Sequence, residues 1–186
     1  YTVSGGLHGV GMSVVNALSC KLTATVKRDG QIFTQTFSRG DVLNDMQVLG
    51  KTDQTGTTID FMPDDEIFET TEFSYDTLRA RLKELAFLNR GLTITIEDEK
   101  NEKKSVFCYE GGIESFVRDL NKKKEPLFED VIYFTGKEGT STAEVAIQYN
   151  QGYNENIFSF ANNISTHEGG THLDGFKVGL TRAVNE

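Results

Sequence analysis

Ser4-Gly-Gly-Leu-His-Gly-Val-Gly11 runs directly into Met12-Ser-Val-Val-Asn-Ala-Leu18. The first stretch places four glycines, Gly5, Gly6, Gly9 and Gly11, within seven positions. Glycine tolerates φ > 0 and leaves its backbone N–H unobstructed by a side chain, and successive bare N–H groups make a concave site for an anion. The apolar residues from Val10 to Leu18 predict a helix, whose N-terminal end carries a partial positive charge. Loop and helix together read as a cradle for a phosphate chain. A tight turn that uses its glycines for close packing is the alternative. The density of glycines, the helix behind them and the absence of a preceding strand favour the cradle. It is not a P-loop, because Met12 follows Gly11 where Lys and Ser or Thr are required. It is not a dinucleotide fingerprint either: no hydrophobic strand enters it, and no acidic residue closes a second strand about twenty residues on.

The bulk of the sequence bounds the rest. Its 186 residues suffice for one domain or pieces of two, and 37% apolar residues suffice for a core. No run approaches the roughly 20 apolar residues of a membrane span. The chain opens on Tyr-Thr-Val-Ser, with no starting Met and no basic or apolar leader, and a predicted helix from Leu173 runs to the final Glu186. We expect an internal fragment of a longer protein. Cys20 and Cys108 lack any partner at metal spacing, so both are expected to be reduced, half-buried small hydrophobes in a cytosolic compartment. A net charge of −9 argues against a principal DNA-gripping surface. The one dense basic run, Lys122-Lys-Lys124, follows a predicted helix and suits its C-terminal dipole.

Turn signals divide what lies between. Leu22 to Arg28 and Gln31 to Ser38 flank Asp29-Gly30, a strong hairpin signal. Met46 to Leu49 reads as a short strand, and Thr57 to Met62 as a central strand stopped by Pro63-Asp-Asp65. Ser74 is expected to cap a helix of about fourteen residues. Its apolar set is Leu78, Leu82, Leu85 and Ala86, with Arg79, Lys83 and Glu84 outward and a stop at Asn89-Arg-Gly91. Leu92 to Glu97 and Lys104 to Tyr109 predict a second hairpin. Past Gly111-Gly112 come a helix (Ile113 to Asn121), strands at Val131 to Thr135, Ala143 to Tyr149 and Asn156 to Ala161, and the closing helix opened by Glu168-Gly-Gly-Thr-His172. Helices layered on a mostly antiparallel or mixed sheet make this an α+β protein. A domain boundary is placed near residue 112.

Four segments carry a family resemblance that spans the chain. Ser4 to Gly11 resembles the ATP lid of the GHKL ATPases. Gln54-Thr-Gly-Thr57 resembles their second nucleotide-binding strand. Tyr109-Glu-Gly-Gly-Ile113 resembles the junction between ATPase and transducer domains, and Glu168-Gly-Gly-Thr-His172 the transducer signature of type II DNA topoisomerases. Lid and Gly-Gly-Thr-His together single out the B-subunit family of those enzymes. Glu84-Leu-Ala-Phe-Leu-Asn89 and Thr166 to Leu173 resemble gyrase more than its topoisomerase IV counterpart.

The resemblance implies a GHKL-type α/β sandwich, its C-terminal part over residues 1–112. The start of a ribosomal-S5-like transducer follows over 113–186. It implies ATP as ligand, held by Gly6, Leu7, His8, Gly9, Val10, Gly11 and Met12, with Tyr1 lining the adenine pocket and Thr57 helping to read the adenine amino group. Thr57 also suits a plain strand position. Arg28 matches an arginine at the mouth of the pocket where aminocoumarin inhibitors bind, though an exposed hairpin residue is the simpler reading of its neighbourhood. His8 is read as ordering the lid or touching phosphate, because the family's general base is a glutamate upstream. No catalytic residue is therefore assigned, and the Mg²⁺ ligand is also expected upstream. The implied partners are a second copy through the ATPase domain, the gyrase A protein in a heterotetramer, and DNA through the full complex. The implied activity is ATP-driven strand passage, with the isolated fragment inactive. A nucleotide-sensing or interaction module that does not hydrolyse ATP is the competing class.

Overall fold

The computed structural model describes residues 10–186. They fall into two compact units, one ending at Phe73 and one running from Ser74 to Glu186. The expected boundary at Gly111-Gly112 therefore lies inside the second unit.

The first unit begins with helix α1 (Val10–Ala17), which passes through Leu18 alone into strand β1 (Ser19–Arg28). Strands β2 (Gln31–Ser38), β3 (Asp41–Val42), β4 (Gln47–Lys51) and β5 (Gly56–Pro63) complete an antiparallel sheet in the order β3-β2-β1-β5, with β4 also paired to β2. Asp29 and Gly30 turn the first hairpin with φ of 52° and 76°, as their sequence predicts. Helix α1 lies against β1, β2 and β5. The fully buried residues here are Leu22, Ser19 and Asp64.

One expectation changes. Residues 57–62 do form a strand, but among the described residues β5 pairs with β1 alone and so lies at an edge. Its Phe61 and Met62 are exposed. Phe61, with Val14, Val15, Leu18, Phe68 and Phe73, lines an apolar cleft of about 190 Å³. Alternation and a closing proline identify a strand, but they do not state how many neighbours it has.

In the second unit, helix α2 (Tyr75–Leu88) starts where predicted: Ser74 Oγ accepts from the Thr77 N–H. It stops at Asn89, whose backbone and side-chain N–H groups both donate to the Leu85 carbonyl. Its buried face differs in part from the expected one. Ala86 is buried as expected, but the ring beside it, Phe87, is buried too, whereas Leu78 and Leu85 are each 39% exposed. Phe87 stacks on Tyr109 with centroids 3.6 Å apart and on Phe116 at 5.1 Å, and Phe116 meets Phe158 edge-on at 5.3 Å. Lys83, expected outward, instead bonds Asp119 at 2.5 Å and lies over the Phe87 ring. An aromatic cluster drawn from four segments outweighs a leucine stripe within one helix.

Strands β6 (Ile94–Asp98) and β7 (Lys103–Phe107) form the predicted hairpin, and α3 (Gly112–Asn121) the predicted helix. Gly112 must be glycine: its φ is +56°, and a Cβ there would lie 2.5 Å from Arg90 Nε. Lys122 caps the α3 end and bonds Asp119 at 2.8 Å, in keeping with the dipole role of the basic run. Asn121, buried at the same end, donates to Gln148 Oε1 at 2.9 Å and accepts from Asn150 at 3.1 Å.

Strand β8 (Ile132–Glu138) runs longer than predicted, while β9 (Ser141–Ile147) keeps its predicted length but begins nearer the turn; they meet across Gly139-Thr140, because backbone pairing continues where hydrophobic alternation stops. The strand expected over Asn156 to Ala161 shrinks to β10 (Phe160–Ala161), paired with β11 (Ile164–Ser165). Asn162 and Asn163, both at positive φ, turn the chain there. Helix α4 (Thr171–Asn185) closes the unit. Cys108 is exposed rather than half-buried; Cys20 is half-buried as expected. No helix among the described residues is long and apolar enough to cross a membrane.

Three carboxylates give the fold an acid limit. The Arg39 side chain holds the Asp64 carboxyl below its ordinary value, and the Asn101 side chain does the same for Asp98. Burial pushes Asp119 up, but the hydrogen bonds from Lys122 and Lys83 together outweigh it and leave it lowered. A carboxyl whose folded pKa lies below its unfolded one stabilises fully above the unfolded value. That contribution is lost as pH falls through the folded value. Thermal midpoints are therefore expected to hold from neutral pH down toward 3.8 and to drop below it. Asp64→Asn is expected to shrink that drop; an unchanged acid slope in melts between pH 7 and pH 3 would contradict the assignment.

Candidate functional site

Val10, Gly11 and Met12 form the first turn of α1. The first N–H groups of a helix have no partner within it. Val10 and Met12 are 46% and 48% exposed, and a Cβ built on Gly11 would meet nothing within 4 Å. Among the described residues, nothing crowds this turn. Tyr1, Gly6, Leu7, His8 and Gly9 lie outside the described residues.

Thr57 is the second residue of β5, exposed, and faces Val26 of β1. Gly56 before it has φ of +155°, a conformation that L side chains rarely adopt, which accounts for glycine in Gln54-Thr-Gly-Thr57. Lys27 Nζ donates to Gln54 Oε1 at 2.9 Å and fixes the approach to this strand. Arg28 ends β1, exposed, in an ion pair of 3.3 Å with exposed Asp29. Thr57 and Arg28 thus share one end of the sheet. The other end of β1 receives α1.

At that second end the structure assembles a centre that the sequence reading did not single out. The Asp64 side chain is 0% exposed. It accepts from Arg39 Nε, from Arg39 Nη2 at 3.2 Å and from the Glu66 backbone N–H at 3.0 Å. Arg39 also pairs with exposed Glu66 at 2.8 Å. Its hydrogen bonds to the Glu66 and Asp64 carboxylates raise the guanidinium's pKa further above its ordinary value. In the sequence, Pro63-Asp-Asp65 signals only a strand end and Arg39-Gly40 only a turn. Nothing local links positions 39 and 64.

Among the described residues no group of three His, Cys, Asp or Glu side chains is arranged to hold a metal ion. The parts on view are a helix N-terminus, a glycine-preceded threonine and an arginine at a sheet end. They can donate hydrogen bonds to an anion and line a pocket.

Comparison with known proteins fits this inventory. The DNA gyrase B family model matches residues 112–186. The gyrase B protein of Clostridium acetobutylicum is 56% identical over all of this chain, which covers 29% of that protein. Its Halalkalibacterium halodurans counterpart is 57% identical over the whole chain, covering 30% of it, and the Bacillus mycoides sequence 55%, covering 46%. The chain thus spans less than half the length of these relatives. The 43K ATPase domain of Thermus thermophilus gyrase B, solved in complex with an aminocoumarin, overlays with a TM-score of 0.85 at 40% identity. That match covers 96% of this chain and 49% of that one. Gyrase B from Myxococcus xanthus shares the fold, with a TM-score of 0.78 at 22% identity over 86% of this chain and 48% of that one. With such identity along its entire length and an ATPase-domain fold, the chain belongs to the DNA gyrase B family.

Proposed function

We propose that this chain forms part of the ATP-binding and transducer region of an ATP-dependent type II DNA topoisomerase. One observation carries the reading: identity of 55–57% to gyrase B proteins over the whole chain, including both the glycine-rich stretch and Glu168-Gly-Gly-Thr-His172. Residues 1–112 belong to the ATPase domain and 113–186 to the transducer; the start of the family match at residue 112 supports that division. Gly6 to Met12 bind the phosphates, Tyr1 and Thr57 the adenine, and Arg28 lies at the pocket mouth. Backbone donors at the α1 N-terminus neutralise phosphate charge and orient the chain of phosphates without a side-chain rearrangement. Mg²⁺, held by residues outside this chain, supplies further counter-charge when bound. ATP affinity that differs between open and closed lids shifts the population toward the closed one. The working assembly is a homodimer through the ATPase domain, joined to gyrase A and, through the complex, to DNA in the cytoplasm.

Two measurements test this. The full-length protein with its gyrase A partner is expected to change plasmid linking number only when ATP is present; no ATP dependence would refute the assignment. The 186-residue chain alone is expected to show no ATP turnover above background, because the family resemblance assigns the general base to a glutamate outside these residues. Turnover that disappears with His8→Ala would instead make His8 the catalyst.

A further inference from the structure

Helix α1 reaches the sheet with one residue between them, so whatever holds its C-terminal end fixes where its N-terminal turn points. Three contacts to backbone carbonyls hold that end. The Asp64 N–H donates to the Leu18 carbonyl at 3.0 Å, and the Arg39 N–H donates to the Ser19 carbonyl at 2.8 Å. Ser19, fully buried, donates its hydroxyl back to the Val15 carbonyl at 2.6 Å. The first two contacts come from the two residues of the buried ion pair. Arg39 and Asp64 are 25 positions apart, so their side chains join what their backbones grip.

The geometry around the pair shows what this costs and what it fixes. Arg39 has φ of 50°, an uncommon conformation for a residue with a side chain. Such strain persists only where the surroundings over-determine it. Its turn lies under the helix: a Cβ on Gly40 would be 3.8 Å from the Ala17 Cα. On the other side, the Ile67 and Phe68 N–H groups both donate to the Asp64 carbonyl. Asp64 thus joins α1, the β2–β3 turn and the segment after β5. Arg39 remains 48% exposed at its side chain, so the pair is not a sealed apolar core substitute. Packing alone would not call for a fully buried carboxylate at this junction.

We propose that Arg39 and Asp64 are positioning residues for the nucleotide site: they clamp the C-terminal end of α1, so that its first turn keeps one direction toward the bound phosphates. The proposal rests on the nucleotide-binding reading above. A loosened clamp spreads the helix over several orientations. Only part of that population then presents its N–H groups to the phosphates, and apparent affinity falls by the competent fraction. Saturating ATP restores the competent population, so maximal turnover is spared.

The test uses the full-length protein and a non-hydrolysable ATP analogue, with folding confirmed by circular dichroism at the assay temperature. Asp64→Asn is expected to weaken analogue binding roughly tenfold, and to raise KM for ATP alike while kcat stays within about twofold. Glu66→Gln, which removes only the exposed arm of the guanidinium's contacts, is expected to leave affinity unchanged. Hydrogen exchange on the unmutated protein gives a second measurement, independent of whether the variant folds. On analogue binding, amides in the first turn of α1 should gain protection, while those of Arg39 and Asp64 stay equally protected with and without ligand. Wild-type affinity in a folded Asp64→Asn protein would overturn the clamp, as would ligand-dependent exchange at Arg39 and Asp64 matching that of α1. If the unmutated protein binds no analogue, the nucleotide reading fails and the clamp with it. If it binds and Asp64→Asn binds equally, the clamp alone fails.

Discussion

Gly9→Val in the full-length protein is expected to weaken ATP binding roughly 100-fold while leaving the thermal midpoint almost unchanged. Gly9 directly precedes α1 and is one of four glycines between positions 5 and 11, where the bound group would be recognised by backbone N–H donors. A β-branched side chain blocks the approach of an anion to those donors and disfavours any φ > 0 the lid needs. Each hydrogen bond to a charged partner contributes about 1.5–3 kcal/mol, so losing one or two accounts for the expected factor. Calorimetric titration with an ATP analogue checks it. Undiminished affinity would remove the lid assignment, whatever the fold. A large loss of stability would mean instead that the glycines serve packing.

The second large effect concerns stability. Phe87→Ala is expected to destabilise the unit from Ser74 to Glu186 by about 3–5 kcal/mol, the usual range for truncating a buried aromatic ring. Phe87 is 1% exposed and lies between Tyr109 and Phe116, with Lys83 over its face. Its loss opens a cavity where α2, α3 and the residues after β7 meet. It also strips the Lys83–Asp119 bond of the apolar cover beside it. Urea unfolding followed by tyrosine fluorescence reads this unit well, since Tyr109 reports on the stack directly. A change below about 1 kcal/mol would show that the cluster relaxes into the gap. Leu78→Ala and Leu85→Ala, on the face the leucine spacing selects, are expected to cost less, because each residue is already 39% exposed against 1% for Phe87.

These two cases mark where local reading succeeds and where it stops. The Asp29-Gly30 hairpin, the Ser74 cap, the Asn89 stop and the helix after the glycine-rich stretch all follow from residues within one turn of one another. Capping and turn formation are short-range, and so they are written into contiguous sequence. The glycine-rich stretch and the Gly-Gly-Thr-His segment were equally legible as family marks. The face of α2 was not, because three of the four rings in its cluster come from outside the helix. Nor was the edge position of β5, since a strand's own pattern states its faces and not its neighbours. The extended β8–β9 ribbon escaped because Gly136 to Ser141 carries no hydrophobic alternation, only backbone pairing.

The sequence by itself determined the family, the helix starts and the hairpins. These depend on φ preferences, caps and motifs that act within a few residues. Only the tertiary structure decided that Arg39 and Asp64 meet, that Lys83 turns inward to Asp119, and that Phe87 rather than a leucine stripe anchors α2. Each of those joins residues that are distant in the chain. Whether an ion pair or a ring stack forms depends on the field and the free volume created by every other segment, and no local stretch encodes them.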